Sequence, residues 1–310
     1  MGLTVGPTTD SMRERVLAYA ALVRLPNVFT APPDVLAGAA LVAVVGARAG
    51  PVEVSGLALA SCFVYAGGTT LNDYVDADVD AVERPERPIP AGLVSRPRAF
   101  ALGVVLLGCG VAVALVAGGP RSSVAAGTPA ALVVVYDGVA KGTPLGWGVM
   151  GLTRGANVIL GTTVGSGVLS DGWWVVTVPL GVTGYVAAVT WMADDEAHGT
   201  DRTAVAAVAG LAAVLAVVPP AITVVAGRDV VLTTIAAGLG VGFLAFVGPP
   251  LLAAYRRPTA SRVGPAVGRS VLGLAVVQAA AATIAGLAWT ATALGCFVLA
   301  RWLSGAFDVS

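Results

Sequence analysis

The residues best suited to chemistry in this chain are carboxylates, and they are unevenly spread. Of 18 acidic residues, six lie between Asp73 and Glu86 and four between Asp194 and Asp201. The first stretch reads Asn72-Asp73-Tyr74-Val75-Asp76-Ala77-Asp78-Val79-Asp80. On a continuous helix Asn72, Asp76 and Asp80 share one face, because residues four apart are stacked. Like charges so placed repel and call for neutralisation. Carboxylate and amide oxygens suit a hard divalent cation, and magnesium commonly takes one or two carboxylates together with substrate phosphate oxygens. Arg84 and Arg87 follow directly, within Arg84-Pro85-Glu86-Arg87-Pro88. Guanidinium forks recognise phosphate with two parallel bonds. A solvated acidic helix end is the plainer alternative, but the adjoining arginines and the second acidic stretch favour a magnesium-bound diphosphate.

That second stretch runs Ala193-Asp194-Asp195-Glu196-Ala197-His198-Gly199-Thr200-Asp201-Arg202. In a helix Asp194, His198 and Asp201 would share a face. His198 is the sole histidine, and either caps the helix end or takes a ligand's place. Single polar residues punctuate the apolar runs. Asp34 is costly in lipid and so a functional candidate, or else the partner of an arginine. Arg154 and Asn157 face a cavity, or Arg154 snorkels to the interface. Lys141 is the only lysine, and Tyr136 precedes it by five residues.

These groups must be positioned by an unusually apolar chain. Over 310 residues, 56% are hydrophobic, 12% are charged, and the mean hydropathy is +0.85. Soluble domains carry about 25% charge. Apolar runs of bilayer-crossing length fall at 22–46, 55–74, 98–118, 122–137, 146–168, 172–193, 203–226 and 230–254. The block 267–305 is too long for one crossing, so it is either a hairpin or one span plus an interfacial segment. The expectation is an all-α polytopic bundle of nine or ten helices. Arginines gather in alternate loops, which puts the N-terminus and the loops after the second, fourth and sixth spans in the cytoplasm. Both acidic stretches then meet one membrane face. Trp173 and Trp174 open the sixth span where an outer aromatic belt belongs.

Other classes are excluded or left weak. Zero net charge gives no reason to expect nucleic acid. Cys62, Cys109 and Cys296 stand singly, without zinc or disulfide spacing. The apolar stretch after Arg13 and Arg15 is too long for a cleavable signal, so the first span serves as its own insertion signal. The Ala, Val, Arg and Gly bias suggests a GC-rich bacterial genome and a bacterial plasma membrane.

The run Asn72-Asp73-x-x-Asp76-x-x-x-Asp80, followed by Arg84-x-x-Arg87-Pro88-Ile89-Pro90-x-Gly92, resembles the first aspartate motif of the UbiA superfamily of membrane prenyltransferases. Arg24-Leu25-Pro26-Asn27 is similar to that family's opening Arg-Pro-x-Asn, and Tyr136 with Lys141 resembles its tyrosine–lysine pair. The resemblance spans most of the protein and implies one domain over 1–310, with nine helices around a central cavity. The second motif departs from the family's Asp-x-x-Asp-x-x-Gly-Asp. Anchoring on Asp201 leaves Ala197 where a carboxylate belongs, whereas anchoring on Gly199 brings Glu196 into register and puts Thr200 last.

The expected roles follow. Asn72, Asp73, Asp76, Asp80, Asp194, Asp201 and Glu196 hold magnesium. Asp76, Asp80, Arg87 and Lys141 drive ionisation of an allylic isoprenoid diphosphate. Arg24, Asn27, Arg84, Tyr136, Arg154 and Arg202 bind the substrates. The prenyl group passes to an aromatic or lipid acceptor that the sequence does not identify. Two other readings stay open. One is a UbiA-type terpene cyclase, in which the isoprenoid's own double bond captures the cation. The other is an ion-coupled transporter, whose carboxylates usually lie nearer the midplane.

Overall fold

The structure, a computed structural model, describes residues 9–44, 50–165, 174–194 and 199–306. All the regular structure among them is helical. Twelve α-helices run in order: α1 (Thr9–Leu22), α2 (Leu25–Val28), α3 (Pro32–Ala43), α4 (Pro51–Val75), α5 (Ala77–Glu83), α6 (Arg96–Val135), α7 (Pro144–Gly161), α8 (Trp174–Ala193), α9 (Arg202–Val225), α10 (Val230–Arg256), α11 (Ala260–Ala282) and α12 (Leu287–Ala306). Seven helical stretches among the described residues are long and apolar enough to cross a membrane, the longest being Arg96–Ala140.

That longest stretch is two helical arms. Gly119 has φ 78° and ψ −168°, a conformation open to glycine because it lacks a Cβ, and Pro120 cannot continue the ladder. The chain therefore doubles back, and Ser123 Oγ donates across the bend to the Val111 carbonyl at 3.4 Å. Both arms pack against α4: a Cβ at Gly110 would meet Val64, and one at Gly68 would meet Val133. The two expected spans 98–118 and 122–137 are these arms.

The expected first span, 22–46, is instead broken. Arg24 adopts the left-handed region (φ 49°), and α3 begins at the Pro32-Pro33 pair. Two successive residues without an N–H interrupt the helical bonds there. α3 then lies flush on α7, since a Cβ at Gly38 would strike the Val158 carbonyl and one at Gly161 the Val35 carbonyl. Helices without side chains at the crossing can bring their backbones together. At the other end, Gly286 (φ 115°) separates α11 from α12, which pack on each other. The block 267–305 thus holds the greater part of two helices, α11 and α12, each in a stretch long and apolar enough to cross a membrane. Trp173 lies outside the described residues.

Candidate active site

α4 stops formally at Val75, yet its ladder continues. The Asp76 N–H donates to the Asn72 carbonyl at 2.9 Å, Asp80 to Asp76 at 2.8 Å and Arg84 to Asp80 at 2.8 Å. The stacking of Asn72, Asp76 and Asp80 expected from their spacing is thereby realised in the backbone. The second arm of α6 ends beside them in a π-turn, Tyr136–Ala140, in which the Lys141 N–H donates to the Tyr136 carbonyl at 2.9 Å. Asn72 Nδ2 donates to Asp137 Oδ1 across the two elements at 2.8 Å. Lys141 Nζ forms an ion pair with Asp76 and sits 5.9 Å from the Tyr136 ring centroid.

The remaining carboxylates of the first stretch are held by arginines. Asp73 is buried between Arg24 (3.0 Å) and Arg87 (3.2 Å), and Arg87 also reaches Asp80 at 2.7 Å. A single nitrogen, Nη1 of Arg87, thus bridges two carboxylates. Arg24 is the only non-glycine with positive φ among the described residues. A strained backbone of this kind persists where its surroundings enforce it, here by aiming the side chain at Asp73. Arg84 is exposed and stands apart from these pairs.

A cavity of about 290 Å³ opens between α4, the second arm of α6 and α7. Asn72, Tyr136, Asp137 and Lys141 form one polar end, Val64, Gly68, Pro129, Val133 and Met150 give it apolar walls, and Arg24, Ser61, Arg154 and Asn157 also line it. Arg154 reaches the cavity while bound on its far side: its Nε lies 3.1 Å from Asp34 Oδ2, and its Nη2 donates to the Thr30 carbonyl at 2.8 Å. Of the two readings of Asp34, pairing with an arginine is the one realised. Asn27 is not among the cavity-lining residues.

The second acidic stretch divides. Asp194 acts electrostatically on the Tyr136 hydroxyl, as Asp137 and Asp76 do, but does not line the cavity. Asp201 caps α9 instead. It accepts from the Thr203 hydroxyl at 2.5 Å and the Thr203 N–H at 3.0 Å, and these bonds hold its carboxyl below the usual range. In the structure Asp201 serves as the cap of α9 and does not line the cavity. Arg202 is exposed on the first turn of α9 and does not line the cavity. Glu196 and His198 lie outside the described residues.

The sequence reading passed over Asp137 and the hydroxyls of Ser61, Tyr65 and Thr153, all of which line the cavity. Asp137 carried a legible signal, a carboxylate at the end of an apolar run, overlooked beside Tyr136 and Lys141.

Among the described residues no three His, Cys, Asp or Glu side chains gather closely enough to hold a metal by themselves. The donor chemistry nevertheless fits a hard cation once the Asn72 amide is counted. All nearby donors are oxygens, which suits magnesium rather than zinc. Asp137 Oδ2 is also buried without a hydrogen-bond partner among the described residues.

The sequence model of the UbiA prenyltransferase family matches residues 35–262. The digeranylgeranylglyceryl phosphate synthase of Ignicoccus hospitalis is 38% identical over 131 residues, 42% of this chain and 41% of that protein. Matched segments span about half or less of such relatives' own length. Among solved structures, that of a digeranylgeranylglyceryl phosphate synthase covers 88% of this chain and 99% of its own, with TM-score 0.61 and 18% identity. A UbiA homologue from Archaeoglobus fulgidus bound to DMAPP and Mg2+ covers 84% and 98%, with TM-score 0.58 and 14% identity. At such identities the solved structures speak for the fold, a multi-helix membrane architecture shared almost end to end.

Proposed function

We propose, for a chain that belongs to the UbiA prenyltransferase family, that it moves a prenyl group from an allylic isoprenoid diphosphate to a glycerophosphate-type lipid. The observation that carries this is the cavity, in which apolar walls lead to an end built from Asn72, Tyr136, Asp137 and Lys141. An apolar slot takes the prenyl tail, and the polar end takes the diphosphate. The acceptor class is drawn from relatives named for a glyceryl phosphate product, which also favours transfer over cyclisation.

Asn72, Asp76 and Asp80 would hold a magnesium ion, and Asp194 with Glu196 a second. When bound, the metal would supply positive charge to the departing diphosphate. Lys141 and Arg87, each now paired with a carboxylate, turn donors toward the phosphate oxygens. Arg84 and Arg202 add charge from the exposed rim. The carbon–oxygen bond breaks with both electrons leaving on the diphosphate. The acceptor hydroxyl oxygen then bonds to the allylic carbon and gives up its proton to the released diphosphate. Val64, Val133 and Met150 keep water from the cation, and the Tyr136 ring shields it. Arg24 and Arg154, with Asn27 nearby in the chain, serve the acidic acceptor.

The arginine bias of the loops turns the site toward the cytoplasm. The α11–α12 hairpin favours ten crossings of a single domain, and Arg301 near the end of α12 then falls on the same side as the site. The bacterial assignment rests on composition alone, as the relatives are archaeal.

Mass spectrometry of purified protein given geranylgeranyl diphosphate tests the reading. Product should form only when a prenylglycerol phosphate is added. Pyrophosphate and a cyclic hydrocarbon released from the diphosphate alone would overturn it.

A further inference from the structure

The reaction above leaves one cavity carboxylate without a task. Asp137 is 9% exposed, lines the cavity, and uses Oδ1 to accept from Asn72. Its Oδ2 is buried and meets no hydrogen-bond donor among the described residues. A buried acceptor left unmatched is destabilising, and more so when charged. Such a group persists where a ligand completes it.

Its surroundings identify the missing partner. The groups that face it are Asn72, Asp73 and Asp76 from the α4 side and Tyr136 and Lys141 from its own turn. Asp73 is already matched by two arginines. Asp76 and Asp137 therefore share a single ammonium, that of Lys141, which pairs with Asp76. One negative charge is left over in an oxygen-lined end of the cavity. The backbone is also out of the ordinary here. The π-turn inserts an extra residue into the end of α6, a departure found most often at functional sites, and it brings Asp137 against Asn72.

We propose that Asp137 is a ligand of the divalent cation, supplied from α6 across from Asn72 and Asp76. The cation then ties the two helical elements together, and the metal site is not confined to the two aspartate-rich stretches. This rests on the reading that a hard cation serves the diphosphate end.

The test needs no turnover. Purified protein, stripped of metal, is titrated with Mn2+ and inorganic pyrophosphate while electron paramagnetic resonance counts the free ion. Asp137→Asn should weaken Mn2+ binding on the order of 10-fold or more, as loss of a supporting carboxylate does elsewhere. Asp137→Glu should recover part of it. The metal-free melting temperature of Asp137→Asn, which keeps the bond partner of Asn72, reports whether the fold survives. Equal affinity in wild type and Asp137→Asn would overturn this proposal alone. No binding by wild type would overturn the cation reading and the proposal together. A variant that melts early yet binds Mn2+ normally would make Asp137 structural and also overturn it.

Discussion

Two clusters of the same residue types lie along one cavity and behave differently. At Ser61 on α4 begins a closed knot. Asn157 Nδ2 donates to Ser61 (2.7 Å) and Asp34 (2.8 Å), Arg154 pairs with Asp34, and Gln278 donates to Asp34 from α11. Asp34 is fully buried. Eleven residues on, at Asn72, or about 16 Å along the helix, lies the looser cluster, where Asp76 is 20% and Lys141 33% exposed. In the knot, Asp34 has a partner for both oxygens, and α3, α4, α7 and α11 are tied together. At the cavity mouth, carboxylates outnumber the cations able to satisfy them. A carboxylate and a base can thus form a clamp or a workplace, and whether both oxygens of the carboxylate are matched tells which: those of Asp34 are, and Asp137 Oδ2 is not.

Substitution should separate the two clusters, first by breaking the knot. Asp34→Ala leaves Arg154 buried and unpaired, a loss of about 3–5 kcal/mol. It should appear as a large fall in melting temperature and in folded yield from detergent. Replacing Asp34 and Arg154 together by apolar residues of similar volume should restore only part of that stability, because the Asn157 and Gln278 amides lose their shared carboxylate. At the mouth the result should be reversed. Asp76→Ala should reduce turnover about 10²–10³-fold, the scale of a lost charge-stabilising group, with an unchanged melting curve. Wild-type turnover there would refute the distinction.

Smaller effects sharpen it. Arg87→Lys keeps the charge but loses the planar guanidinium that can hold a phosphate by two parallel bonds, so the KM for the diphosphate should rise about 10-fold with kcat less affected. Asp201→Ala should be the mildest, leaving pyrophosphate-dependent Mn2+ binding unchanged and lowering the melting temperature slightly. Because the Thr203 bonds depress the Asp201 carboxyl, its contribution is present at neutral pH. It is lost as pH falls through the depressed value, so in strong acid the two melting curves should converge. A loss of Mn2+ affinity in Asp201→Ala would return it to the metal site.

Much of this was legible before any coordinates. Helical period and span length mark α4, α8, α9 and α10, because a bilayer leaves the backbone few alternatives. The four-residue repeat of Asn72, Asp76 and Asp80 predicts a shared face, and the ladder through Asp76 supplies it. The breaks were harder to read. The Pro32-Pro33 pair was there to interrupt the first span, but hydropathy averages across it. The partners of Asp34, at Arg154, Asn157 and Gln278, lie more than a hundred residues away, and no local spacing announces a contact of that range. Asp137 was legible as a carboxylate closing an apolar run, but its contact with Asn72 needed the π-turn, which leaves no mark in composition.

The arginine bridges across Asp73 and Asp80 have a consequence for the life of the protein in the cell. Zinc fingers collapse without their ion because nothing else restrains their ligands. Here the counter-ions are built into the chain, so membrane insertion and helix assembly can finish before any metal arrives. If a hard divalent cation serves this site as proposed, a cell short of that ion would hold an intact, idle protein in its bilayer, ready to resume work when the ion returns.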